Sequence, residues 1–258
     1  SCRDATFGSL LSRDDAVLAD VEALLVDMDR DGVEHSVVMG MGWTDFRLAQ
    51  EANEYIIEAV ANNPGRLTGF CSVSPNWGAE AVAEVERCTA AGLKGVGELH
   101  PDTQGFDIAD KTVMEPLMET ANRLGLPVLV HASEPVGHQY PGKGRTTPGK
   151  LYKFIENFPS NVIICAHWGG GLPFYALMPE VPKVLENVYF DTAASPFLYR
   201  PDVFSAVTGL VGANKVLFAT DYPLIRARRL LGQVEEACLA PENQEAVLSG
   251  NAARLFGL

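Results

Sequence analysis

The stretch from Asp110 to Pro135, DKTVMEPLMETANRLGLPVLVHASEP, sets the reading of the whole chain. Its first half, Asp110 to Leu124, is an amphipathic helical run. It stops at Gly125, because glycine readily takes the left-handed conformation that ends a helix. PVLVHA follows at once from Pro127, a short β-rich apolar run that closes on a polar residue, His131. A helix feeding directly into a buried strand is one half of a βα repeat.

The same phrase recurs on both sides. Gly32-Val33 and Gly92-Leu93 also stand between an amphipathic helix and an apolar run. The strand candidates are HSVVMG from His35, LTGFCSV from Leu67, LKGVGEL from Leu93, PVLVHA, NVIICAH from Asn161, NVYFDTA from Asn187 and KVLFAT from Lys215. They start roughly 26 to 35 residues apart, the length of one βα unit. Between them, a helix capped by Asp14 or Asp15 should run to Asp31, with Val17, Val21, Leu24, Leu25 and Met28 on one face. Another opens at Thr44 or Asp45 and ends before Pro64-Gly65, and a third covers Glu80 to Ala91. No composition break divides the 258 residues, so 1–258 reads as one α/β domain.

Alternating βα units build either an open doubly wound sheet or a closed barrel. The open sheet advertises a glycine-rich phosphate loop, and neither Gly40-Met41-Gly42 nor Gly169-Gly170-Gly171 has that spacing. A barrel instead gathers its chemistry at the C-terminal ends of many strands. The ends here are Ser72 and Ser74, Glu98, His131, His167, Asp191 and Asp221. The expected fold is therefore a (β/α)8 barrel. Eight strands close such a barrel, and seven are found.

Composition narrows the partners. With 33 acidic against 20 basic side chains, the net charge of −13 repels phosphate backbones and anionic lipid, which argues against nucleic acid and membrane. No apolar run approaches the length of about 18 residues that spans a bilayer. Five cysteines without a C-x-x-C pair read as reduced thiols of a cytoplasmic protein. A small-molecule substrate, and possible self-association, are what this leaves.

Taken singly, His131 and His167 are ordinary strand-end histidines, and Asp221 is equally a helix N-cap or a ligand. Two imidazoles and a carboxylate at one barrel mouth are together the donor set of a catalytic divalent metal: zinc first, with iron or manganese also suited. Glu98 reads as a substrate-contacting or buried hydrogen-bonded carboxylate. His100, which precedes Pro101 in a loop, and His35, which begins its strand at the opposite rim, read as structural or surface residues. The loop from Glu134 to Pro148 carries His138, Tyr140, Lys143 and Arg145, and reads as a lid whose cations draw in an anionic substrate.

MDRDGVEHSVV, LKGVGELHPDTQGF, LPVLVHASEP, ICAHWGGGLPF, VYFDTAASP and VLFATDYPL occur in this order from Met28 to Leu224. Together they resemble the amidohydrolase superfamily, and within it the amidohydrolase-related group of metal-dependent hydrolases and nonoxidative decarboxylases. The resemblance implies a distorted eightfold barrel with one divalent metal, usually zinc; in two-metal members a modified Lys or a Glu at the place of Glu98 bridges the ions. Its ligands are an H-x-H pair on strand 1, a strand 5 histidine matching His131 and a strand 8 aspartate matching Asp221, with the strand 6 histidine, His167, beside the metal. No H-x-H exists here. The seven strands would then be strands 2 to 8, and about 10 to 25 further residues before Ser1 are expected to supply the first.

The leading functional expectation is hydrolysis of an amide, ester or lactone in a small anionic molecule. Asp221 would take a proton from metal-activated water, His167 would stabilise the oxyanion, and Trp168 would line the substrate site. The runner-up is nonoxidative decarboxylation, with His167 and Asp221 supplying the proton that replaces CO2. A catalytically dead binding barrel is the third reading.

Overall fold

The computed structural model of the chain describes residues 4–11, 18–140 and 142–258. All seven expected strands form: β1 (Ser36–Val38), β2 (Leu67–Gly69), β3 (Val96–Leu99), β4 (Val128–Val130), β5 (Ile163–Cys165), β6 (Val188–Asp191) and β7 (Val216–Leu217). Every pairing is parallel. β1 pairs with β2, and β3 to β7 pair in sequence order. A bridge between Cys71 and Val96 joins the two sheets into one curved wall. Among the described residues, no strand lies between β7 and β1. The wall is a TIM-type α/β barrel whose helices sit outside.

The helices are α1 (Ala5–Leu11), α2 (Val21–Asp31), α3 (Phe46–Asn62), α4 (Ala79–Ala90), α5 (Lys111–Leu124), α6 (Pro148–Asn157), α7 (Asp202–Val211), α8 (Ala227–Glu236) and α9 (Asn251–Phe256). The expected caps hold at Asp45, whose carboxylate takes the N–H groups of Arg47 and Leu48, and at Asp110. Gly32 and Gly125 end α2 and α5 in left-handed conformation. The first helix boundary differs, because Asp20 caps α2. Asp14, Asp15 and Val17 lie outside the described residues.

Strand alternation sorts side chains into two layers. Val128 and Val130, and Ile163 and Cys165, face outward into a core shared with Val85, Leu117 and Phe154 of the helices. Leu129, Ile164 and Leu217 face inward, with Phe70 and the C-terminal Phe256. Phe256 stacks edge-on against Phe70 at 5.6 Å, and Lys94 Nζ donates to the Phe256 carbonyl. The C-terminal helix therefore closes the bottom of the barrel, opposite the polar strand ends.

One buried polar link ties the helical layer to the mouth. Glu84 of α4 accepts from Arg87 and from Asn53 Nδ2, at 2.9 and 2.8 Å. Asn53 also bonds both the N–H and the carbonyl of Ser72, beyond the end of β2. Cys71, Cys88, Cys165 and Cys238 are free thiols.

Candidate active site

The strand ends deliver their polar residues to one place, and three local features aim them. The first is in β3, where Val96 pairs with Val128 but Leu99 with Val130. Three steps along β3 match two along β4, a bulge that re-aims the intervening residues. Leu99 packs outward, while Glu98 points into the barrel.

The second feature is at β5. Strict alternation would send His167 outward with Cys165. Instead His167 and Trp168 both adopt left-handed backbone, with φ of 55° and 57°. That turn brings the imidazole into the mouth and sends the indole into the outer core. Trp168 is fully buried, packs edge-on against Phe204 at 4.9 Å, and donates its N–H to Ser195 Oγ. Trp168 is therefore a core residue, not the expected substrate contact. Asp191 holds the turn by accepting the backbone N–H groups of His167 and Ala193, each at 3.0 Å. Asp191 figured among the strand ends in sequence but carried no assigned role there.

The third feature is Asp221, which also has a positive φ, 65°. Its side chain caps no helix, since α8 begins after Arg226. Water reaches Asp221, while the surrounding protein mass pushes its carboxyl upward despite the opposing pull of His167.

At the centre, ligand atoms of Glu98, His131 and His167 all lie within 4.8 Å of one another. His131 Nδ1 is 3.0 Å from Glu98 Oε1 and 3.2 Å from His167 Nε2. His131 Nε2 faces the Gly142 carbonyl at 3.2 Å. A carbonyl can only accept, which puts the His131 proton on Nε2 and leaves Nδ1 as a lone pair beside the Glu98 oxygen. Burial, then the charge of His167, hold His131 neutral, its pKa near 3. His167 differs. Burial opposes its charge, but the carboxylates of Asp221, Glu98 and Asp191 outweigh it and raise the pKa to about 8. Two acceptor atoms pressed together among buried imidazoles fit a divalent cation. Glu98 thus belongs with the ligand-type group rather than with substrate contacts alone. Asp221 stands close enough to bias His167 but outside that trio.

The loop after β4 covers this centre with backbone rather than with cations. Gly142 meets His131, and the Gly144 N–H donates to Ser133 Oγ at 2.9 Å. Lys143 Nζ is consumed by the Val136 and His138 carbonyls of the same loop. Arg145 is 91% exposed and pairs with Asp102 on the outer rim, and His138 is exposed at the loop tip. The two cations are thus engaged by the loop itself and by Asp102, unlike the free charges expected of a cationic lid. Tyr140 points inward, donating to Glu134 Oε2 at 2.7 Å.

His100 also departs from expectation. It is 2% exposed and stacks on His131 with ring centroids 4.0 Å apart, so it lies in the mouth. Its place was readable from parity, since it stands two residues beyond Glu98. His35 is structural as expected, bonded to Gly65 and Thr68 at the opposite rim.

The sequence profile of the family described as Amidohydrolase matches residues 10–258. The chain belongs to the amidohydrolase family. Among relatives of this amidohydrolase, the 2-amino-3-carboxymuconate-6-semialdehyde decarboxylase of Dictyostelium discoideum is 25% identical, over 93% of this chain and 77% of its own. The gamma-resorcylate decarboxylase of Polaromonas is 24% identical, over 81% and 76%. In structure, the 5-carboxyvanillate decarboxylase of Novosphingobium aromaticivorans, complexed with manganese and 4-hydroxy-3-methoxy-5-nitrobenzoic acid, superposes with a TM-score of 0.79 at 19% identity, covering 99% of this chain and 88% of that one. These relatives favour the runner-up expectation, decarboxylation, over hydrolysis. No helix among the described residues is long and apolar enough to cross a membrane.

Proposed function

We propose that this amidohydrolase is a metal-dependent nonoxidative decarboxylase of a small unsaturated or aromatic carboxylic acid. The observation that carries the reading is the buried His167, turned into the mouth with its Nε2 3.2 Å from His131 Nδ1 beside a cation-type donor set, in a chain that resembles two curated decarboxylases at 24–25% identity. Glu98 and His131 would hold a divalent cation, with Asp221 on its open side. When bound, the cation supplies positive charge that fixes substrate oxygens and stabilises the anion left as CO2 departs. Zinc suits these donors, and manganese accompanies the Novosphingobium relative.

The protein's own part is proton management. Cleavage of the carbon–carboxylate bond leaves its electron pair on carbon, and His167 donates the proton that replaces CO2. Asp221, accessible to water, returns a proton to the neutral imidazole. Asp191 keeps the ring in register through the backbone N–H of His167. The covering loop keeps bulk water from the developing anion.

Product analysis tests the reading. Purified protein, reconstituted separately with zinc and with manganese, is given carboxyl-labelled hydroxybenzoates and, in parallel, aromatic lactones in 18O-water. Release of labelled CO2 with one proton gained by the ring is expected. Oxygen-18 incorporated into an opened lactone, without CO2, would restore the hydrolytic reading.

A further inference from the structure

Three buried polar groups at the mouths of β1, β2 and β3 have no hydrogen-bond partner among the described residues: Trp43 Nε1, Ser74 Oγ and both ring nitrogens of His100. An unpaired buried donor loses its water without replacement, and native proteins keep such groups to a few per hundred residues. Here three such side chains stand beyond the ends of neighbouring strands.

Gln104 shows how close they are. Its side-chain amide donates to the carbonyls of Trp43 and Val73, at 2.9 and 3.0 Å, and its oxygen accepts the His100 N–H at 2.9 Å. One amide therefore pins the backbones of Trp43, of the residue preceding Ser74, and of His100. The pinning uses main chain only and leaves the three side chains unspent. Gly40 completes the arrangement. A Cβ there would lie 2.6 Å from Ser72 Oγ and 2.8 Å from Trp43 Nε1. The Gly40 carbonyl in turn accepts from the Glu98 N–H. The indole N–H thus sits over backbone that abuts Glu98, and His100 stacks on His131.

We infer that Trp43, Ser74 and His100 form an oxyanion subsite beside the metal-type centre, holding an oxygen substituent of the substrate other than the carboxylate that is lost. The indole N–H only donates, a serine hydroxyl can donate, and an imidazole has an N–H in either tautomer. Neutral donors suit an oxygen that must be oriented rather than neutralised. The carboxylate to be lost belongs elsewhere, because donors bound to it would stabilise the ground state against cleavage. The ligand class, a hydroxy- or dicarboxy-substituted aromatic acid, rests on the decarboxylase reading. The subsite itself rests on the unpaired groups.

Binding, measured calorimetrically on the metal-loaded protein, tests the subsite without requiring turnover. The probes are benzoate, 2-hydroxybenzoate and benzene-1,3-dicarboxylate. Wild type should bind at least one substituted acid roughly tenfold or more tighter than benzoate, the value of a well-placed donor to an anion. W43F keeps the ring stacked on Phe7, and S74A removes only an oxygen. Each should erase most of that preference while leaving benzoate affinity and metal content unchanged. Ligand-free W43F and S74A should melt no lower than wild type, since each deletes an unsatisfied group. His100→Phe should behave like W43F if its metal content is intact. Equal affinity of wild type for all three acids, absence of any binding, or clear destabilisation of both W43F and S74A would overturn the subsite. Preference that follows these residues in a protein releasing no CO2 would keep the subsite and remove the decarboxylase reading.

Discussion

Replacing Glu84 by Gln should weaken the fold by an amount the structure fixes in advance, and the weakening should vanish in acid. The Glu84 side chain is 2% exposed and sits against Arg87 at 2.9 Å. Burial alone would raise its pKa, but the Arg87 guanidinium and the Asn53 amide outweigh burial and hold it at about 2, against a usual value of 4.5. That difference is worth about 3 kcal/mol. Arg87 is 42% exposed, so solvent screening trims the expected loss to about 2 kcal/mol at pH 7. Because the folded pKa lies below the unfolded one, the contribution is complete above the unfolded value. It is lost as the pH falls from about 4.5 toward 2. Urea unfolding followed by tryptophan fluorescence, from pH 7 down to pH 3 with metal fixed, should show a constant gap between wild type and E84Q until about pH 5, then convergence. A gap that stays constant to pH 3, or widens on acidification, would refute the account.

His167→Ala should lower turnover by roughly two to four orders of magnitude, the usual worth of a general acid, while bound metal remains close to wild type. His131→Ala should lose both metal and activity, read by elemental analysis. Asp221→Asn is expected to cut activity with partial metal loss, because it would face the cation from the open side of the Glu98–His131 pair. Arg145→Gln should leave KM for an anionic acid within about twofold, since an exposed rim ion pair acts weakly on the mouth. Gly170→Ala should cost about 3 kcal/mol or more in thermal unfolding: its φ is +59°, and the new Cβ would lie 2.4 Å from the Ser133 carbonyl oxygen.

The strands were legible because each combines a β-rich body with a polar end, and a helix-ending glycine precedes several of them. Barrel and mouth followed from listing those ends. What the sequence could not convey were departures from regular alternation. The bulge in β3 aims Glu98 inward, and nothing in LKGVGEL counts an extra residue against a partner strand. The left-handed pair at 167 and 168 exchanges the sides that parity assigns, turning His167 into the mouth and Trp168 into the outer core. Lys143 and Arg145 were misread because charge in a loop says nothing of direction, and both found nearer partners. His100 was dismissed for standing before a proline, although its parity with Glu98 was visible.

The adjacency of His167 and Trp168 has a consequence for how this barrel tolerates change. Two successive non-glycine residues in left-handed conformation store about 1–2 kcal/mol each. Here that strain is held by the Asp191 carboxylate on one side and by the socket of Phe204 and Ser195 around the indole on the other. Enlarging that socket, as in Phe204→Leu, gives the indole room to relax toward ordinary backbone, and relaxation would swing the imidazole out of the mouth. In a mutational scan scored separately for abundance and for turnover, α7 positions far from the substrate should therefore fall among variants that fold yet do not work. Compensating substitutions should accumulate around Trp168 rather than around the metal centre.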